Sequence, residues 1–428
     1  YLHSNEELNP PFRSEKYKAN VFLLLINLVK TILRGFYGLS LYLFTPKKVI
    51  GKCDFLFYSF SSNNQRTLAP IQKETLNSLL IDNIGLEYRK SWRFTLLYFP
   101  NILLKYIKST GYLKKAYCSE FVEFALTYGY YFDAINKLKK INPKILIVAN
   151  DHCALPRSLF RAAQKLNICT VYIQHASVSD KFPPLEYDVA FLDGLESYDK
   201  YICNGRQCYS KVFLSGNPRF DIICEKMKEK DTFSQVKIGI AINRIDNLKK
   251  LENLIKEIQE KKYRYITLRP HPSMNISQIE DLCRKYQCRF SDSKRELPFD
   301  FIKQNNIFIA GESSIHLDIV ASGKISLFYN FTDDFPLDWY GYMKKGLIQD
   351  ASSNLDDLMK NIENNKVSII SDDICRYYIS NYNTIYWGKS AKLISETLST
   401  LTLKDKKLNK YWSLETLGLY TIKNKAIL

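Results

Sequence analysis

Along the chain, apolar residues gather into short continuous runs, each followed by a polar loop and then by a stretch of helical period. Runs at residues 54–58, 144–149, 169–173, 189–192 and 211–214 predict buried strands, with a polar loop over 59–66 and a helix over 157–166. A second alternation predicts strands at 237–242, 264–268, 307–310 and 325–329, with helices at 248–261, 276–286 and 314–322 between them. Strands without polar alternation, separated by helices, are the mark of parallel sheets covered on both faces. The charged stretch EKMKEKDTFSQ at 225–235 has no apolar period and divides the two series. The expected fold class is therefore α/β, with two doubly wound, Rossmann-like domains facing across a cleft and ligands at the carboxyl ends of the strands. Residues 51–224 form an N-terminal acceptor domain, 225–235 a linker, 236–400 a C-terminal nucleotide-donor domain and 401–428 a helical tail.

Residues 1–50 stand apart. VFLLLINLVKTILRGFYGLSLYLF at 21–44 is the most apolar stretch, yet Asn27, Lys30, Arg34 and two glycines interrupt it. Between positions 13 and 48, Arg13, Lys16, Lys18, Lys30, Arg34, Lys47 and Lys48 face one acid, Glu15. Apolar residues wrapped in positive charge suit a helix lying in the plane of an anionic leaflet. A long core helix of the first domain has the same pattern, so both stay open. A second apolar and basic segment, 94–117, adds to the membrane-surface expectation.

Composition narrows the partners. The 428 residues carry 61 Lys and Arg against 44 Asp and Glu, a net charge of +17, and with 30 Tyr, 25 Phe, 16 Gly and 14 Pro the chain is neither disordered nor collagenous. Such a charge calls for a polyanion: nucleic acid, anionic lipid or a phosphorylated substrate. Nucleic acid would need aromatics interleaved with Lys and Arg on one exposed surface, whereas here they fall in expected strands and apolar helices, so no nucleic acid is expected. Ten cysteines occur singly with no C-x-x-C pair, which argues against zinc and, with no cleavage site after an N-terminal apolar run, for the reducing cytoplasm. Phosphate-loop, dinucleotide, nucleophile-elbow and metal-ligand motifs are absent, so neither metal nor cofactor is expected.

Four of the five histidines, His152, His175, His271 and His316, lie just past an expected strand end or at the helix start that follows, as if lining one cleft. Asp151 and His152 end the strand at 144–149 side by side, where a general base for an acceptor hydroxyl belongs; a helix cap is the structural alternative for Asp151. Gln174 and His175 follow the next strand, and Gly216-Asn217-Pro218-Arg219-Phe220-Asp221 reads as a turn with Asp221 as a cap. In the second series, the prolines of Arg269-Pro270-His271-Pro272 stiffen a turn that presents a cation and an imidazole to a phosphate oxygen. Gly311, Glu312, Ser313 and Ser314 join a strand to a helix as a phosphate cradle, or as an ordinary Ser cap. Asn243 and Arg244 end the first strand of this series, either at a donor phosphate or in a solvated loop.

GNPRFD at 216–221, RPHP at 269–272 and GESSIHLD at 311–318, in this order, resemble the GT-B glycosyltransferases of bacterial surface polysaccharide synthesis. Two branches share the pattern. Transferases of CMP-activated acidic sugars, such as sialyltransferases, have HP and Ser-Ser motifs on the CMP phosphate and an acidic base in the first domain. CDP-glycerol and CDP-ribitol phosphotransferases have RPHP, a QHG like Gln174-His175-Ala176, and a Ser-Ser-x-x-x-Asp pattern to which Ser313, Ser314 and Asp318 conform. A more distant likeness joins the chain to the non-hydrolysing UDP-sugar 2-epimerases, through Asp151 and the segment NRIDN at 243–247. The resemblance implies an inverting, metal-independent glycosyltransferase on the cytoplasmic face of the cell membrane. It would take a nucleotide-activated sugar, CMP-sialic acid or a related CMP-acidic sugar, and a glycan or lipid-linked acceptor. Asp151 would be the base, helped by His152 or His175, and His271, Ser313 and Ser314 would bind the departing phosphate.

Overall fold

The computed structural model describes residues 20–179, 182–226, 235–333, 338–364, 370–401, 412–414 and 419–422. The chain forms two compact units. The first holds residues up to Asp193, Ser197–Pro218 and Ala391–Lys423, and the second is essentially Arg219–Ser390.

In the first unit the strands are β1 (Phe55–Ser59), β2 (Ser78–Asp82), β3 (Ile145–Val148), β4 (Cys169–Ile173), β5 (Val189–Leu192) and β6 (Lys211–Leu214). All five residues of β1 and all four of β3 and β5 are buried, which is why these segments carry no polar alternation. In the second unit, β7 (Lys237–Ile242), β8 (Tyr265–Pro270), β9 (Arg289–Phe290), β10 (Ile307–Ala310), β11 (Ile325–Phe328) and β12 (Gln349–Asp350) form a parallel sheet in the order β9-β8-β7-β10-β11-β12. From the chain's end, β13 (Trp412–Leu414) and β14 (Tyr420–Ile422) join the first sheet beside β6, giving β2-β1-β3-β4-β5-β6-β14-β13. Strand order reverses between β1 and β3 in the first sheet and between β7 and β10 in the second, and at such points the loops diverge and leave a crevice.

Helices cover the sheets through apolar stripes. In Leu248–Glu260, Leu251, Leu254, Ile255 and Ile258 are buried, each contributing about 1.5–3 kcal/mol by leaving water, and Asn247 caps the first turn by accepting from the Lys249 nitrogen. Gly239 in β7 lets aromatic rings cover the sheet: a Cβ there would lie 2.8 Å from the Phe301 and Phe308 rings.

Several expectations need correction. The polar stretch 59–66, expected as a loop, opens the helix Ser62–Glu74, capped by Ser61. The tail expected to be helical over 401–428 contributes β13 and β14 instead, and the helix Ser390–Leu401 before it belongs almost wholly to the first unit. Most of the expected linker, 227–234, lies outside the described residues. The apolar segment forms the single helix Val21–Phe44, which packs on Arg93–Lys108 and Gly111–Ile141 of the first unit while leaving a row of large apolar residues exposed.

Candidate functional site

In the first unit the loop at 149–153 leaves β3 at the strand-order reversal. Asn150 shapes it: its side-chain oxygen accepts from the backbone nitrogens of His152 (3.2 Å) and Cys153 (2.8 Å), turning the chain into the helix Ala154–Lys165. Asp151 does not cap this helix, whose first turn receives no side-chain cap. Asp151 is 1% exposed and both its oxygens are engaged: Oδ1 lies 2.9 Å from His152 Nδ1, and Oδ2 accepts from the Tyr201 hydroxyl at 2.6 Å. The Tyr201 hydroxyl is in turn 3.2 Å from that of Tyr172.

Burial alone would raise the Asp151 pKa, but the bond and charge of His152, the Tyr201 hydroxyl and the charge of His175 outweigh it and hold the carboxyl below its usual range. Burial likewise works against charge on His152. Its bonds to Asp151 and Cys153 and the Asp151 charge win, and its pKa is pushed up to about 10. The His152 side chain is 39% exposed against 2% for Asp151, so the imidazole is the accessible end of the pair. Asp151, expected as the base, is therefore a buried partner that orients and charges His152. His175 is half-buried beside them, so Asp151, His152 and His175 are brought together.

Gln174 and Asn217 hold this end of the sheet. Gln174 Oε1 accepts from the Asp193 nitrogen (2.9 Å), its Nε2 donates to the Ala176 carbonyl (3.0 Å), and Asn217 Nδ2 donates to Asp193 Oδ1 (2.9 Å). These buried bonds tie the loops after β4, β5 and β6 together. Asp221, expected as a cap, instead accepts from the Ser390 nitrogen through Oδ1 at 3.0 Å.

In the second unit the loops after β7, β8 and β10 carry the other candidates. His271 follows β8, is exposed, and its Nδ1 lies 2.8 Å from Ser273 Oγ, while its backbone nitrogen donates to the Ile242 carbonyl at the end of β7. Partial burial and the charge of Arg244 push its pKa down, so the exposed Arg244 guanidinium acts on the His271 ring. Asn243 bridges to the β10 loop by donating from Nδ2 to the Glu312 carbonyl at 2.8 Å. Ser313 and Ser314 stand half-buried before the short helix Ile315–Ala321, with Ser313 Oγ accepting weakly from the Ile315 nitrogen at 3.4 Å.

Three expected participants turn out to be structural. Arg269 lies inside β8, 5% exposed, and donates to Ser291 Oγ and the Glu296 carbonyl, both at 2.8 Å, so it braces the loop after β9 and does not face a phosphate. Glu312 is 8% exposed and its carboxylate accepts from the backbone nitrogens of Asp338 and Trp339. His316 is buried between Ser326 Oγ (2.7 Å) and the Gly311 carbonyl (3.0 Å), and burial pushes its pKa down to about 4, so it is a neutral bracing group. Gly311 itself fits its place because a Cβ would come within 3.1 Å of Asp246 Oδ1.

Two residues take a role only in the structure. Tyr201 lies 50 positions from Asp151 in an amphipathic helix and carries no local mark. Asp246 lies in the β7 loop, where its Oδ2 accepts from the Asn243 nitrogen at 2.7 Å. Burial, with the nearby Glu312 charge adding to it, pushes its pKa up to about 6. No group of three or more potential metal ligands occurs among the described residues.

No protein-family model and no curated protein matches the chain. Solved structures do. The UDP-GlcNAc 2-epimerase of Methanocaldococcus jannaschii superposes with a TM-score of 0.52 at 14% identity, covering 81% of this chain and 99% of its own. The UDP-GlcNAc 2-epimerase of Neisseria meningitidis, solved with UDP-GlcNAc, gives 0.51 at 14%, again over 81% and 99%. The wall teichoic acid polymerase TagF gives 0.47 at 14% identity, over 91% of this chain and 100% of its own. At these identities, what the chain shares with the two epimerases is the fold, two doubly wound α/β units of the GT-B type.

Proposed function

We propose that the protein is an inverting transferase of bacterial cell-surface glycan assembly, working without a metal, that uses a cytidine-nucleotide donor and a glycan or lipid-linked acceptor. The observation that carries this is the Asp151–His152 pair where strand order reverses in the first sheet, with one imidazole face open and the carboxylate closed. Such a pair handles one proton at a fixed place, and its neutral imidazole form, which grows as pH rises toward 10, takes the acceptor hydroxyl proton. In the second unit, Arg244, His271, Ser313 and Ser314 lie in loops at the strand ends around the reversal, where a nucleotide phosphate binds in doubly wound sheets. Cationic and hydroxyl donors there stabilise the negative charge that grows on the departing phosphate. The enzyme works at the cytoplasmic face of the membrane, as a peripheral protein.

Among donors, a CMP-activated acidic sugar is the first candidate by motif. A CDP-activated polyol is the second, and one observation favours it: the CMP-sugar resemblance implies a carboxylate base, whereas the Asp151 oxygens are both engaged and the open group is an imidazole.

Calorimetric titration with CMP, CDP and UDP, followed by turnover of CMP-sialate and CDP-glycerol with and without a glycan acceptor, tests the proposal. Tighter binding of a cytidine nucleotide, weakened at least about tenfold in His271→Ala, is expected, together with acceptor-dependent release. Conversion of UDP-GlcNAc to its 2-epimer without an acceptor would instead make the protein an epimerase, and unchanged nucleotide binding in His271→Ala would remove His271 from the donor site.

A further inference from the structure

The helix Val21–Phe44 packs inside out. Toward the first unit it turns Leu24, Asn27, Thr31, Gly35 and Gly38, all buried. The glycines bring it onto its neighbours: a Cβ on Gly35 would lie 2.6 Å from Leu96 Cγ, and one on Gly38 2.7 Å from the Arg93 nitrogen. Asn27 Nδ2 donates to the carbonyls of Cys118 (2.9 Å) and Ser119 (3.1 Å), just before the kink at Glu120 in the helix Gly111–Ile141. Away from the unit it turns Phe22, Leu25, Val29, Leu33, Phe36 and Leu43, which are 54% to 71% exposed. At 3.6 residues per turn these six fall within an arc of roughly 80° opposite the packed face.

A helix of a water-soluble protein shows the reverse, with its apolar stripe inward. Small and polar residues at the helix contact, with large apolar ones outward, is the arrangement helices adopt in lipid. Charge fixes the orientation. Lys30 sits exposed at mid-length beside the apolar arc, where a spanning helix would carry it into the hydrocarbon but an in-plane helix sets it at the headgroups, while Arg34 on the same flank turns to Glu123 at 3.8 Å and the Trp92 ring. Lys47 and Lys48, both exposed, follow its end, and the adjoining helix Arg93–Lys108 exposes Leu97, Leu104 and Ile107 together with Lys105 and Lys108.

We propose that Val21–Phe44 lies in the plane of an anionic lipid leaflet, with its six apolar side chains among the acyl chains and its basic flank at the headgroups. Its Asn27-Thr31-Gly35-Gly38 face is the fixed mount that carries the first unit. The protein is thereby embedded in one leaflet, and salt alone does not release it. This deepens the peripheral location proposed above and is independent of the transferase chemistry.

Flotation of the full-length protein with phosphatidylcholine vesicles, with and without phosphatidylglycerol, tests it. The protein should float with the mixed vesicles, stay bound in high salt, and bind the neutral ones less well. The combined Leu25→Ser, Val29→Ser and Leu33→Ser variant should lose at least about tenfold in partition while keeping its thermal unfolding profile. In a separate Leu33→Trp variant, brominated acyl chains should quench the new tryptophan. Equal flotation of the triple variant, release of the wild type by salt, or a wild type that ignores both vesicles and sediments as a dimer would each overturn the proposal. Cytidine-nucleotide binding by the triple variant is read separately, so failure of the transferase assignment leaves the lipid result standing.

Discussion

His152 and Asp151 make separable predictions. His152→Ala should lower turnover about a hundredfold to ten-thousandfold, the usual worth of a positioned proton-transfer group. With its pKa near 10, wild-type His152 yields its basic form only as pH rises, so kcat/KM should climb into the alkaline range. Asp151→Asn removes the charge that stabilises the imidazolium. Its rising limb should therefore move to lower pH with a reduced plateau, a shift that loss of a merely structural residue would not give. Asp246 makes a stability prediction. Its folded-state pKa, about 6, is above the usual 3.8, so its contribution is full below the unfolded value and is lost as pH rises through 6. Asp246→Asn should raise the unfolding temperature at pH 7.5, by about 1–3 kcal/mol equivalent, and do little at pH 4. His316 works oppositely over the same window: its lowered pKa costs stability as pH falls from 6.5 toward 4, so the Asp246 effect must be read as a difference between variant and wild type. Position along the chain located Asp151, His152 and His271, because strand ends are visible in sequence. Roles were not, because they depend on burial and on partners such as Tyr201. Arg269 shows the cost of a two-residue error: β8 runs to Pro270, so Arg269 sits within the strand, and only His271 emerges from it.

At the scale of elements, long apolar runs marked β1, β3 to β8, β10 and β11, since strands buried on both faces need them. The two-residue strands β9 and β12 hold too few apolar side chains to show a period. The helix Ser62–Glu74 was hidden because its buried face includes Asn64 and Thr67 as well as Leu68 and Ile71. For Val21–Phe44 the apolar run was plain, but only packing shows which face is inward. That packing is testable: Asn27→Leu removes two hydrogen bonds at the kink, one of them buried, and should destabilise the first unit by about 1–3 kcal/mol in denaturant unfolding. Gly38→Leu should destabilise it further, because the nearest atoms are the backbone of Arg93 and Arg89 and the Trp92 Cβ, which cannot swing aside.

For the whole molecule, two doubly wound units are legible in the two-series rhythm of the chain, but not that the first is completed by β13 and β14, which follow the second. β14 pairs with β6 through Tyr420 and Phe213, whose rings stack at 4.7 Å, and buried Trp412 meets Phe213 edge-on at 5.0 Å. Pairing over such a sequence distance leaves no local pattern to read. Removing everything after Lys389 should therefore lower the unfolding temperature of the first unit and promote aggregation through the bared β6 edge, measured by calorimetry and light scattering. The same return of the chain gives the protein a clock during its synthesis. Once β6 has left the ribosome, the whole second unit must be made before the residues that seal that edge exist, an interval of about 10 to 40 s at ordinary elongation rates. Through that interval the second unit can fold as an uninterrupted stretch, while the β6 edge of the first stays open.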